Sequence, residues 1–206
     1  MTSPTSNRLK HRNQAARREE SDRRMLRAAA HLISQQGLRA TTLAEIGLAA
    51  GYSSGLPVVR YGSKLGLIDA LLEAMDQWCQ TAYAAATAGR RGLDSLKARI
   101  GAHIGSVRSI PEGAGALQTI LLEARYSFPS LQPRLTTLLQ HWREGIRDDL
   151  IDAQRLGEVP ADLDCDVYAD LIIGATRGMT IDRVGPQLDE LQRALPSLLC
   201  EVVRLR

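Results

Sequence analysis

Apolar residues recur every third or fourth position along most of this 206-residue chain, the spacing of helices rather than of strands. Met25, Leu26, Ala29, Leu32 and Ile33 form one such stripe. They predict a first helix from about Arg17 to Gln36, ended by Gly37 as the left-handed residue beyond its last turn. Thr42-Leu43-Ala44-Glu45 is a capping box: the Thr hydroxyl accepts the N–H three residues on, and Glu45 reaches back to the cap. A short helix to about Ala49 follows, then a sharp turn at Gly51, then a second short helix capped by Ser53 and reaching about Tyr61. Two short helices joined through a Gly turn, directly after a longer helix, make a helix-turn-helix.

Ser63 caps the next predicted helix, about Lys64 to Thr87, with Leu67, Leu71, Leu72, Met75 and Trp78 on its apolar face. Further helices are expected over about 93–108, 112–127, 130–154, 164–182 and 186–205. Pro111, Pro129, Gly157 with Pro160, and Gly185 with Pro186 punctuate them. Pro196 should kink or split the last one. No alternating stretch bounded by hairpin signals occurs, and no repeat. Residues 1–16 are polar, have no apolar period, and are expected to be a disordered basic arm whose Arg8, Lys10 and Arg12 can touch phosphates.

Composition sharpens this picture in three ways. The net charge of +3 is unevenly placed: residues 1–64 hold 11 Lys/Arg against 4 Asp/Glu, whereas 65–206 hold 15 against 19. A basic head on an acidic body suits a polyanion-binding module joined to something else; a solvated basic arm is the plainer alternative. Cys79, Cys165 and Cys200 lie in no CxxC or Cys/His cluster, so neither a disulfide framework nor a metal site is expected. Each reads as a small buried apolar residue, a redox-sensing thiol being the alternative. No apolar run is long enough to span a bilayer, and the N-terminus has no apolar signal segment, so a cytoplasmic protein is expected. There is no nucleophile elbow, Gly-rich phosphate loop or E-x-x-H pair. The four His (His11, His31, His103, His141) are scattered, and carboxylates such as Glu123, Asp148, Asp149 and Asp152 stand without partners in any catalytic pattern. An enzyme is not expected, and no cofactor.

Residues 22–72 carry Thr41-Thr42-Leu43-Ala44-Glu45-Ile46-Gly47-Leu48-Ala49-Ala50-Gly51-Tyr52-Ser53-Ser54-Gly55, then Tyr61-Gly62-Ser63-Lys64 and Leu67. This stretch resembles the DNA-binding domain of TetR family transcriptional regulators, whose pattern is roughly T-x-x-x-I-A-x-x-A-G-V-S-x-G-x-L-Y-x-H-F-x-S-K-x-x-L. The likeness covers about a quarter of the chain; the rest is similar only in helicity and length. Gly47 stands where the family has a small Ala, and Tyr61 where it has Phe. Val58 replaces a Tyr that bonds a phosphate. Pro57 falls inside the recognition helix and predicts an irregular first turn through Ser54, Gly55 and Leu56, or a regular helix that starts nearer Pro57.

The resemblance implies an all-α protein: an N-terminal three-helix helix-turn-helix DNA-binding domain (17–63), then a larger helical ligand-binding and dimerisation domain (64–206). In such a motif the second short helix enters the major groove with its N-terminal part against the bases. Mapped by position, Ser53, Ser54, Gly55, Val59 and Arg60 are the outward candidates. Arg60 can bond a guanine edge with two N–H groups or, alternatively, a phosphate; Val59 can press on a thymine methyl. Thr42, at a helix N-terminus, and Lys64, which matches the family's phosphate-binding Lys, are phosphate candidates. Leu43, Ile46, Leu48, Tyr61 and Leu67 are assigned to the core of the head.

For the body, Trp78, His103, Glu123, Tyr126, Trp142 and Tyr168 are the polar and aromatic groups to inspect at a ligand cavity. The helix around Ala169–Gly178 has small residues at Gly174 and Gly178, which suit either a two-fold interface or close packing within one subunit. Leu188, Leu191, Leu195, Leu198, Leu199, Val202 and Val203 form a broad apolar face at the end of the chain. The expected function is a repressor that binds a pseudo-palindromic DNA operator as a homodimer and is released by a small-molecule ligand, with no membrane partner. The alternatives are a helical ligand-binding protein with an impaired head and a nucleoid-type protein that binds DNA without an operator.

Overall fold

A computed structural model describes residues 4–181 and 186–204. Among the described residues the chain is built of α-helices, one 3-10 turn and no strand: α1 (Pro4–Ala40), α2 (Leu43–Ala49), α3 (Leu56–Tyr61), α4 (Lys64–Thr87), α5 (Gly92–Ser109), α6 (Pro111–Tyr126), α7 (Gln132–Arg155), α8 (Cys165–Ile181) and α9 (Pro186–Arg204). The 3-10 turn, Pro129–Leu131, leads into α7. The expected break at Gly185 falls in 182–185, outside the described residues, as do residues 1–3 and the last two positions.

Three expectations are corrected. First, α1 begins at Pro4, not Arg17, so residues 4–16 are helical rather than a disordered arm. Proline is well suited to a first helical turn, and the Arg, Lys, Gln and Ala that follow are good helix formers even without an apolar stripe. Second, Leu48 is 65% exposed and is not part of the head core. Third, Pro196 neither splits nor ends α9. The ring removes one backbone donor, but the helix is held from outside: Leu188, Leu195, Leu199, Cys200 and Val203 are buried in the core, and Gln192 Nε2 donates to the Gly101 carbonyl of α5 at 3.2 Å. Packing of an amphipathic face outweighs the loss of a single helical bond.

Two apolar clusters organise the molecule. The first gathers Met25, Ala29 and Ile33 of α1, Ile46 of α2, Leu67, Ile68, Leu71 and Leu72 of α4, Ile120 and Ala124 of α6, and Leu135 and Leu138 of α7. The second joins α5, the C-terminal half of α7, α8 and α9. Helix α1 therefore packs along α6, and the head shares its core with the body. None of the described helices is long and apolar enough to cross a membrane.

Candidate nucleic-acid interface and ligand cavity

The reading head is assembled by local rules that the sequence states openly. Thr42 caps α2: its Oγ1 accepts from Glu45 N–H at 3.2 Å, and Glu45 Oε2 accepts from Thr42 N–H at 2.8 Å. The Thr42 hydroxyl proton also goes to Glu45, at 2.8 Å, and these bonds hold the Glu45 carboxyl below its ordinary pKa. Gly51, at φ 81, makes the turn. Helix α3 starts at Leu56 with Gly55 as its cap residue, so Pro57 sits in the first turn, where its missing N–H costs nothing. Ser53 does not cap by its side chain; its carbonyl accepts from Leu56 N–H at 3.1 Å. The later start is therefore the one adopted, with Ser54 and Gly55 forming the turn ahead of it.

Pro57 is buried against α2. A Cβ on Gly47 would lie 2.5 Å from the Ser53 carbonyl oxygen and 3.1 Å from Pro57 Cδ. The Gly at this position thus leaves room that Ala would fill, and the approach of α3 to α2 depends on it.

Ser53, Ser54 and Gly55 are exposed, and Val59 is 84% exposed at the middle of α3. All four are open to solvent at the front and middle of α3. Arg60 does not join them. Its guanidinium turns back to α1, with Nη1 donating to both Asp22 carboxylate oxygens at 2.8 and 3.0 Å and Nη2 to Ser21 Oγ at 3.2 Å. Its side chain is only 17% exposed, held by these charge-assisted bonds from one nitrogen to Asp22 and by the bond to Ser21. Tyr61 OH donates to the same Asp22 at 3.2 Å, and burial with the adjacent carboxylate pushes its pKa up. Lys64 Nζ donates to the Arg39 carbonyl at 3.1 Å and lies 5.7 Å from the Phe128 ring centroid. It ties the start of α4 to the end of α1, and partial burial lowers its pKa. Without DNA, the Arg60 and Lys64 side chains are thus both engaged with α1 rather than projecting from the head. A shallow groove beside α3 is lined instead by Gln14, Arg17, Arg18, Ser21, Val59 and Arg60, with Arg17 and Arg18 exposed. The sequence reading missed these two cations, although it puts both in the first turn of the first helix.

Head and body meet at a second joint. Gly37 breaks α1 at φ 88, and the two N–H groups beyond it, of Leu38 and Arg39, donate to the Glu123 carboxylate of α6 at 2.9 and 3.0 Å. Glu123, expected in a ligand site, is instead the clasp between α6 and the entry to the helix-turn-helix.

Between α1, α4, α5, α6, α7 and α8 lies a cavity of about 290 Å³. Leu26, Leu71, Met75, Leu117 and Leu121 give it an apolar wall. Trp78, Cys79, His103, Trp142, Arg177 and Thr180 also line it. Of the six inspected residues, Trp78, His103 and Trp142 are there. Tyr126 is 82% exposed on the surface, and Tyr168 packs against the second core; neither lines the cavity, nor does Glu123. A chamber of about 30 Å³ adjoins it, shares His103, Trp142 and Arg177, and adds Tyr83, Arg99 and Thr176. His103 Nδ1 lies 2.9 Å from Tyr83 OH, and burial drives the His103 pKa down to about 4, so the imidazole is neutral at pH 7. Burial pushes the Cys79 thiol up to about 11, which leaves it protonated. Cys200 is raised likewise to about 11, and all three cysteines are free.

Residues 25–71 match the family profile described as "Bacterial regulatory proteins, tetR family". The match spans the end of α1, the two short helices and the start of α4. No curated protein matches the sequence. Solved structures with the same fold as this chain include a TetR transcriptional regulator from Chloroflexus aurantiacus J-10-FL, with 24% identity, 91% of this chain and 98% of that one covered, and a TM-score of 0.75. A fatty acid degradation regulator, FadR, from Bacillus halodurans is 18% identical over 90% of this chain and 97% of its own, with a TM-score of 0.79. FadR from Bacillus subtilis, in complex with stearoyl-CoA, is 19% identical over 86% and 96%, with a TM-score of 0.74.

Among the described residues, α8 and α9 both leave apolar side chains open to solvent. On α8, Val167 and Leu171 are 57% and 49% exposed, and a Cβ at Gly174 or Gly178 would meet nothing within 4 Å. On α9, Leu198 and Val202 are 54% and 46% exposed. Close packing of Gly174 and Gly178 within one subunit is therefore not what these glycines do.

Proposed function

We propose that this chain is a transcriptional repressor that binds a pseudo-palindromic operator as a homodimer and is released by a small molecule held in the α1–α8 cavity. The head, to residue 63, reads DNA; residues 64–206 bind ligand and dimerise; the protein works in the cytoplasm, where its DNA is. The observation that carries this reading is the outward surface of Ser53, Ser54, Gly55 and Val59, flanked by the exposed Arg17 and Arg18. Small polar and apolar groups at the front of α3 approach base edges in the major groove, while the cations flanking them neutralise phosphates. Thr42 holds the end of α2 beside them, and Arg60, Tyr61 and Lys64 hold α3 and α4 in place.

Dimerisation is supported by the open face of α8 and α9. Val167, Leu171, Gly174 and Gly178 follow one another at helical spacing, and small residues let two copies approach closely. Two heads then meet successive major grooves, roughly 34–36 Å apart or a multiple. Ligand release is a shift of population: a molecule that prefers the body with its heads misplaced lowers operator affinity by no more than its differential affinity for the two states.

The test is a salt-titrated binding assay on fragments of the protein's own genome. A repressor shows one or a few sites bound about 10³-fold or more tighter than bulk DNA and a steep salt slope. A specificity ratio near one indicates a nucleoid-type binder, and no salt-dependent binding indicates a ligand-binding protein with an impaired head.

A further inference from the structure

The inner end of the cavity holds polar groups that the protein leaves without partners. Trp142 is 7% exposed and its Nε1–H has no acceptor. Thr176 is 5% exposed and its Oγ1 is likewise unpaired. Arg177 is half-buried on the next position of α8; its carbonyl accepts from Thr180 Oγ1, but its guanidinium makes no hydrogen bond or ion pair with any described residue. All three line the small chamber that continues the apolar cavity.

The nearby acids are already committed. Asp149 accepts from Arg99 Nε at 2.6 Å and from Ser95 Oγ at 2.7 Å. Asp76 is bonded to His141 Nδ1 at 2.8 Å, and Glu112, at the cavity wall, to His31 Nδ1 at 2.8 Å. His103 beside Arg177 is neutral and supplies no counter-charge. An indole N–H and a guanidinium only donate, so whatever completes this end must accept, and a cation held away from water calls for an anion. The rest of the cavity wall is apolar.

We propose that the cavity binds an amphipathic organic acid, with its apolar body among Leu71, Met75, Leu117 and Leu121 and its carboxylate on Arg177 and the Trp142 N–H. This rests on the reading of the cavity as the site of the releasing ligand and names the class of that ligand. The carboxylate accepts from the guanidinium fork in two bonds, and Thr176 contributes its hydroxyl. Arg27, an exposed residue at the wall of the larger cavity, adds to the positive field that draws an acid in.

Both tryptophans of the chain line the cavity, so intrinsic fluorescence of the full-length protein reports its occupancy. Two matched pairs serve as probes: decanoate with 1-decanol, and 4-phenylbutyrate with 4-phenylbutanol. At least one acid is expected to bind about 10- to 100-fold tighter than its alcohol, the range of a charge-assisted bond. Arg177→Gln should abolish that preference by weakening acid binding far more than alcohol binding, while Arg177→Lys keeps part of it. If Arg177→Gln fails to fold, as read by circular dichroism, the acid–alcohol comparison on the wild type decides alone. Equal affinity of acid and alcohol in both pairs, no binding of either acid, or an equal loss for both in Arg177→Gln would overturn the proposal. Operator binding is followed in the same samples. Alcohols that bind and release DNA would leave ligand release standing and remove the organic acid. Acids that bind with the expected preference but never change DNA affinity would do the reverse.

Discussion

Leu38 and Glu123 lie 85 positions apart and are joined by a hydrogen bond of 2.9 Å from the Leu38 N–H to Glu123 Oε1. The other carboxylate oxygen takes the N–H of Arg39. One side chain on α6 thus satisfies two backbone donors at the point where the chain leaves α1 for the helix-turn-helix, and α6 also lines the cavity. Glu123→Gln keeps one acceptor, sets an amide N–H against a backbone donor and removes the charge. It is expected to destabilise the protein by about 1–2 kcal/mol, read by urea denaturation. It should also weaken the ligand's effect on DNA affinity more than ligand binding itself, read by titrating operator with and without ligand.

Arg60→Ala should behave as a structural change. With its guanidinium on Asp22 and Ser21, its loss leaves a carboxylate without its cation and loosens α3 against α1. DNA affinity should fall by a similar factor for every operator variant. Relaxed preference at a single base pair would show instead that Arg60 leaves Asp22 on binding and reads the base.

Val59→Ala is the complementary case. At 84% exposure the side chain contributes little to the free protein, and the unfolding free energy should stay within about 0.5 kcal/mol of wild type. Operator affinity should drop several-fold, with the loss confined to one half-site position in a binding survey of base substitutions.

Gly47→Ala should disturb the head without touching its outer surface. The added methyl meets the Ser53 carbonyl at 2.5 Å, and overpacking of this kind costs about 1–3 kcal/mol. Amide hydrogen exchange should show faster opening of α2 and α3, with α5, α7 and α9 unchanged.

Acid should weaken the fold through His103. Its pKa falls from 6.5 to about 4 on burial, so the unfolded chain binds the proton more tightly than the native one. Above pH 6.5 both states carry it neutral and it has no effect. Stability is then lost as pH falls from about 6.5 to about 4, by about 3 kcal/mol for this group. Carboxylates lose stability in part of the same window, so the readout is a difference: the pH profile of His103→Gln should be flatter than that of the wild type.

The parts of this molecule that were legible in the sequence are those fixed by local chemistry. The capping box at Thr42, the Ser63 cap, the Gly37 and Gly51 turns and the proline-marked helix starts depend on residues a few positions away, and they stand where the sequence puts them. What was illegible depends on partners distant in the chain. Arg60 looks like a base reader until Asp22, 38 positions earlier, is placed beside it. Glu123 looks like a cavity group until Leu38 arrives. Arg177 sits within an apolar stretch of small residues, and only the assembled bundle shows that it lines a cavity without a partner. Pro196 was overrated for the same reason, since the packing that sustains α9 comes from α5.

The closeness of Gly47 to Pro57 bears on how such heads can be recombined. Operator preference is commonly thought of as the property of one recognition helix, a cassette to be moved between scaffolds. Here the cassette does not end at the helix: grafting residues 56–61 onto a relative with Ala at the position of Gly47 would bring the Pro57 ring to about 3.1 Å from a methyl group. The smallest transferable segment runs from Gly47 through Tyr61, and chimaeras cut inside it should fold poorly whatever their bases of choice.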